Sequence, residues 1–210
     1  YLNISNRRNE GIKIHQFEFS MIGIHNIQNA LAMIATGIEL KIPIKKIKNT
    51  LRNFSGVQRR FQKVGNFNDA IIIDDYGHHP VEITSALAAA RLLVPKNKII
   101  CIFQPHRYSR LKDLFDEFCS SFNDADYVLI LDVYSAGEIP IPNFDSLNLE
   151  NGLSKYGHKN VSYIQNKKNL IQNLIKTVQP NDLIICLGAG SITNIANNLE
   201  KDLNNECRHI

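Results

Sequence analysis

The chain has 210 residues, 44% of them hydrophobic, and a formal net charge of +4. On a prior of ~150 residues per domain this is one large domain, or one and a fraction, with apolar mass enough for a real core. The mild charge and scattered lysines argue against a nucleic-acid stripe, and no apolar run approaches the roughly 20 residues needed to cross a bilayer. The four cysteines, Cys101, Cys119, Cys186 and Cys207, have no CxxC spacing and read as free thiols of a reducing cytoplasm. The sequence opens at Tyr1 and not at a methionine, shows no signal peptide, and reads as the middle of something longer.

In chain order, Glu10 to Phe19 alternates in the manner of an exposed-edge strand or hairpin. Asn26 to Leu40 carries an apolar helical stripe through Ala30, Met33, Ile34 and Gly37, and Ile42 to Leu51 carries a second. Pro43 stands near the start of that second helix, where its missing N–H costs nothing. Asn26 and Asn29 are three residues apart and share a face. A carboxamide can read the N6/N7 edge of adenine; the plain alternative is that Asn26 caps the helix and Asn29 is solvated. Two helices and a short β segment make a poor domain alone, so a boundary is placed near Asn53–Val57, dividing the chain into 1–55 and 56–210. Arg59 and Arg60 follow it. Paired guanidinium groups suit phosphate oxygens, or they form a solvated basic turn.

From residue 70 strands near 70–75, 98–103, 127–132, 161–164 and 182–187 alternate with helical patterns near 80–94, 109–123, 145–156, 166–178 and 191–204. That succession predicts an α/β, Rossmann-like domain with a mainly parallel sheet and helices on both faces. Two strands, expected to be adjacent, end in polar blocks: Asp74-Asp75-Tyr76-Gly77-His78-His79-Pro80 and Phe103-Gln104-Pro105-His106-Arg107-Tyr108-Ser109-Arg110. The carboxyl edge of such a sheet is where ligands bind.

Asp74 and Asp75 suit ribose hydroxyls, or cap the helix after Pro80. His78 and His79 diverge, and a zinc site from His78, His106 and Asp75 lacks the i, i+4 pairing of helical His motifs. Arg107 and Arg110 lie one helical turn apart, suited to gripping a small carboxylate. Cations at a helix N-terminus oppose the macrodipole, so local preference does not explain them. Asp132-Val133-Tyr134-Ser135-Ala136-Gly137-Glu138 and Gly188-Ala189-Gly190 end two later strands. The latter is a weak dinucleotide signal, or simply a tight turn. There is no GxxxxGK[ST] loop.

Taken in order, these blocks, from His25-Asn26 and Asn29 through Gly56…Arg59-Arg60-Phe61 to Gly188-Ala189-Gly190, resemble the Mur ligase family over about Gly23 to Leu199. The Gln104-Pro105-His106-Arg107-Tyr108 block points to the alanine-adding branch. The resemblance implies ATP-dependent joining of L-alanine to UDP-N-acetylmuramate through an acyl phosphate, in peptidoglycan synthesis in the cytoplasm, with ATP and Mg²⁺ as cofactors. It implies that residues 1–55 are the tail of a central ATPase domain and 56–210 the C-terminal ligase domain. The UDP-sugar domain, the P-loop and most magnesium ligands would lie outside, leaving the chain inactive alone. It further implies that Asn26 and Asn29 hold adenine and that Asp75 binds ribose. Arg60, alone or with Arg59, would reach the phosphates across the domain cleft. Tyr76 and His78 would line the reacting centre, and His106, Arg107 and Arg110 would hold the alanine carboxylate. Two other readings stay open: a stand-alone Rossmann-like nucleotide-binding module resting on Gly188-Ala189-Gly190, and a small metallohydrolase using His78, His79 and His106.

Overall fold

A computed structural model describes residues 2–6, 13–19, 23–54 and 56–208. The Glu10–Ile12 part of the expected first strand lies outside them. Two compact units divide the chain, Tyr1–Val57 and Gln58–Ile210.

In the first unit β1 (Leu2–Asn6) pairs antiparallel with β2 (Lys13–Phe17). Helices α1 (Ile24–Glu39) and α2 (Ile44–Asn53) follow. Phe17, Ala30, Ile34, Ile47 and Leu51 form their common core. A Cβ on Gly37 would lie 2.8 Å from Ile47 Cδ1, so the missing side chain lets the two helices approach. Asn26 is not the cap of α1: Gly23 is, and its carbonyl accepts the Asn26 N–H at 3.1 Å.

The second unit is the expected α/β layer structure. Its strands are β3 (Gln62–Phe67), β4 (Ala70–Asp75), β5 (Ile99–Phe103), β6 (Tyr127–Ile130), β7 (Val161–Tyr163) and β8 (Leu183–Leu187), in the spatial order β3-β4-β8-β5-β6-β7. All neighbours are parallel except β3, which runs antiparallel to β4. Two findings depart from the sequence reading. The strand β3 was not foreseen, because it is a polar edge strand with only Phe67 buried. It turns into β4 through Asn68 and Asp69, both at positive φ (49° and 60°), the two-residue hairpin turn that Asn and Asp tolerate. Moreover β4 and β5 are not adjacent, since the last strand, β8, is inserted between them.

Period-two alternation divides the central strands between two cores. Ile73, Cys101, Phe103, Val128, Ile130 and Ile185 face α3 (Pro80–Leu93), α4 (Tyr108–Asp113), α5 (Phe115–Ser120) and α6 (Ser146–Lys155). Ile72, Ile100, Ile102, Leu129 and Ile184 face α7 (Lys167–Thr177) and α8 (Ile192–Cys207). Strands β5 and β8 are buried at every position, which is why they read as unbroken apolar runs. The single helix expected over 109–123 is two short ones, broken at Leu114 (φ −124°, ψ 30°). Cys101, Cys119 and Cys186 are buried free thiols, and Cys207 is exposed. Among the described residues no helix is long and apolar enough to cross a membrane.

Candidate functional site

The carboxyl ends of β4, β8 and β5 stand side by side, so the loops leaving them meet at one edge of the sheet. The β4 loop is organised by Asp75. Its Oδ1 accepts the Gly77 N–H and its Oδ2 the Phe61 N–H, each at 2.7 Å. Asp75 is 7% exposed, and burial pushes its pKa up against the opposing pull of those bonds. It does not cap α3. Glu82 reaches back to the backbone N–H groups of His78 (3.0 Å) and His79 (3.2 Å) instead.

Arg59 and Arg60 have different situations. The Arg59 guanidinium donates to the Gly188 carbonyl at 2.5 Å, lies 3.8 Å from Asp74 and covers the Tyr76 ring at 4.7 Å. Its Nη2 ties the β3 approach to the β8 turn, while its buried Nε has no hydrogen-bond partner among the described residues. Arg60 is exposed; its guanidinium is 3.8 Å from Glu82 and 5.7 Å from the Tyr76 ring centroid. Of the pair, Arg60 is the one able to turn toward an added anion.

Four rings run in series across the edge. Tyr76 meets His78 edge-on at 5.2 Å, His78 lies 5.8 Å from His106, and His106 stacks on Tyr134 at 5.3 Å. His78 Nδ1 is 2.9 Å from the Tyr76 carbonyl and 3.4 Å from Glu82. A carbonyl only accepts, so His78 Nδ1 bears a hydrogen, and in the neutral form of the ring the lone pair is on Nε2. His106 has the opposite tautomer, since its Nδ1 faces the donor Arg110 Nη1 at 3.3 Å and Nε2 must then bear the hydrogen. Burial, then the charges of Arg110, His78 and Arg107, lower the His106 pKa, which keeps that ring neutral. One imidazole thus offers an acceptor and its neighbour a donor.

The loop after β5 carries Arg107 and Arg110. Arg107 is exposed, and its backbone lies at φ 74° and ψ 132°, a region that L-residues avoid. Its N–H donates to the Tyr134 carbonyl at 2.9 Å, and Tyr134 N–H to Pro105 O at 2.8 Å. Beneath this turn Gln104 is buried; its Oε1 accepts the Ile192 N–H at 3.0 Å, at the start of α8. A Cβ on Gly188 would fall 2.8 Å from the Gln104 carbonyl oxygen, and one on Gly190 2.6 Å from Gln104 Oε1. These glycines make room for Gln104 and Tyr134, and the N-terminus of α8 is already taken by the Gln104 carboxamide. That geometry removes the main support for a dinucleotide module.

The structure therefore brings Arg60, Asp75, Tyr76, His78, His106, Arg107 and Arg110 to one sheet edge. Asn26 and Asn29 belong to the first unit, where Asn26 is buried and Asn29 exposed, so their shared face is only partial. Among the described residues no group of three His, Cys, Asp or Glu side chains has metal-holding geometry. Sequence reading missed Arg59 as an anchor and Glu82, Gln104, Tyr134 and Glu138 as organisers. The i, i+4 spacing of His78 and Glu82 was a usable signal for one of them.

Residues 59–190 match the family model described as "Mur ligase, glutamate ligase domain". A UDP-N-acetylmuramate–L-alanine ligase of Rhodospirillum centenum is 46% identical over 92% of this chain and 40% of its own length. One from Rickettsia felis is 48% identical over 85% of this chain and 38% of its own length. The chain thus spans about two-fifths of the length of the curated relatives it matches. Among solved structures, UDP-N-acetylmuramate-alanine ligase from Thermotoga maritima superposes with a TM-score of 0.74 at 26% identity, covering 91% of this chain and 40% of that one. A MurF ligase from the same organism, in complex with ADP, shares the fold at 15% identity and TM-score 0.66, covering 92% of this chain and 42% of that one.

Proposed function

The chain belongs to the Mur ligase family, and on that premise we propose that it serves ATP-dependent joining of L-alanine to UDP-N-acetylmuramate in cytoplasmic peptidoglycan synthesis. The reaction has two stages: transfer of the γ-phosphoryl group to the lactyl carboxylate, then attack of the alanine amine on the acyl phosphate with release of phosphate. The observation that carries this reading is the pair of neighbouring imidazoles, His78 and His106, 5.8 Å apart, with Arg110 Nη1 3.3 Å from His106 Nδ1.

In this proposal the guanidinium groups of Arg107 and Arg110 and the Nε2–H of His106 hold the carboxylate of the amino acid. A fixed carboxylate directs the amine at the acyl carbon, and such positioning lowers the barrier. His78 Nε2 then stands as the acceptor for the ammonium proton, its ring oriented by the Tyr76 carbonyl and Glu82. Tyr76 walls the reacting centre on the other side. Arg60 meets the phosphates; its exposure and its loose contact with Glu82 fit that task, whereas Arg59 is engaged in the fold. Each Asp75 oxygen keeps a second lone pair after accepting its backbone N–H, which suits ribose hydroxyls. The adenine role of Asn26 and Asn29, and residues 1–55 as the tail of a central ATPase domain, rest on the family alone. We assign no Mg²⁺ ligand within this chain; the ion would neutralise the phosphate charges.

The test is reconstitution. Joined to the remainder that its relatives carry, the chain should release phosphate from ATP only when UDP-N-acetylmuramate and L-alanine are both present. Alone it should turn over nothing. Ligation by the isolated chain, or none by the completed protein, rejects the proposal.

A further inference from the structure

Helix α4 begins under an unusual handicap. Its N-cap, Arg107, has no side-chain acceptor and a strained backbone, and its first turn contains no acidic residue. A helix started this way leaves its first N–H groups without partners and sets cations against its positive end. Both deficits are met from a distant loop. Glu138, 29 residues away, accepts the Ser109 backbone N–H at 3.0 Å through Oε2 and the Ser109 hydroxyl at 2.6 Å through Oε1. The same loop places Tyr134, whose carbonyl takes the Arg107 N–H and whose ring stacks on His106. Ser109 stands between Arg107 and Arg110, so holding it fixes where both guanidinium groups start.

We propose that Glu138 is a positioning residue for the incoming amino acid: by gripping Ser109 at two points it sets the Arg107–Arg110 spacing. The inference rests on reading His106, Arg107 and Arg110 as the carboxylate grip. The physical content is restraint: with Ser109 held at two points, the guanidinium groups of Arg107 and Arg110 start from fixed positions and direct a gripped carboxylate and its amine.

Steady-state kinetics of the completed ligase test this. Glu138→Ala should raise the KM for L-alanine about fivefold or more, the loss expected for charge-assisted hydrogen bonds, with the KM for ATP within about twofold. Glu138→Gln keeps an acceptor oxygen and should recover most of that loss. A merely structural cap would lower Tm and leave the alanine KM of the folded enzyme unchanged. An unchanged alanine KM in Glu138→Ala, with a raised one in Arg110→Ala, overturns the positioning role and spares the grip. Unchanged values in both variants overturn the grip itself and this inference with it. Should Glu138→Ala not fold, Ser109→Ala removes one of the two contacts. It should raise the alanine KM by about two- to threefold, and no rise rejects the proposal.

Discussion

Gly190 and Tyr134 occupy mutually exclusive space: a Cβ on Gly190 would sit 2.6 Å from Tyr134 Cγ and 2.8 Å from Tyr134 Cβ. The ring that stacks on His106 can lie there only because residue 190 has no side chain. The glycine after β8 thus supports the amino-acid side of the edge, in a chain segment 56 positions from the tyrosine.

Gly190→Ala follows directly. Overpacking of this kind costs ~1–3 kcal/mol, so Tm should fall by several degrees in a unit of this size. Because relief comes most easily by pushing Tyr134 off His106, the alanine KM should rise as well. Unchanged Tm and KM would mean that the turn has slack that the geometry denies.

Arg110→Ala and Asp75→Asn should separate the two substrates. Charge-assisted hydrogen bonds contribute ~1.5–3 kcal/mol, so Arg110→Ala should raise the alanine KM by about 10- to 100-fold and hardly move that for ATP. Asp75→Asn should do the reverse, weakening ATP in calorimetry on the completed protein. It also turns a carboxamide NH₂ toward either the Gly77 or the Phe61 N–H, so some loss of stability accompanies it. Equal effects on both substrates would remove the division of roles.

Arg107→Gly separates strain from chemistry. The backbone at Arg107 costs ~1–3 kcal/mol for a residue with a Cβ, and glycine returns only about 0.5–1 kcal/mol of that as chain entropy. Thermal unfolding should therefore show Arg107→Gly as stable as the parent or more so, and more stable than Arg107→Ala. Both variants should lose alanine affinity. A glycine variant clearly less stable than the alanine one would contradict the strained geometry.

The His106 ring should titrate below the ordinary histidine range near ~6.5, since burial and then Arg110 disfavour its charged form. The folded ring binds its proton less readily than the unfolded one. Stability from this group is therefore complete above the unfolded value and is lost as pH falls through that range toward the lower folded pKa. Ring chemical shifts followed by NMR should show the low midpoint, and Arg110→Met should raise it. A midpoint at or above the ordinary value would contradict the effect of burial and Arg110, and one above neutrality would reject the neutral-donor assignment.

Sequence alone determined the βαβ succession, the strands β4, β5, β6 and β8, and the polar blocks that end them. It did so because a strand buried on both faces is an unbroken apolar run, and because the polar blocks in their order resemble the family whose model matches residues 59–190. It pointed as well to Arg107 and Arg110, which stand at the N-cap of α4 and within that short helix. Only the tertiary structure decided that β8 lies between β4 and β5, and that β3 adds an antiparallel edge. Only there does Arg59 become an anchor, on a carbonyl 129 residues away, while Arg60 stays available. The physical reason is range. Periodicity and capping act within a few residues, whereas strand order and the partners of Arg59, Gln104, Tyr134 and Glu138 are set by contacts between segments that no local pattern encodes.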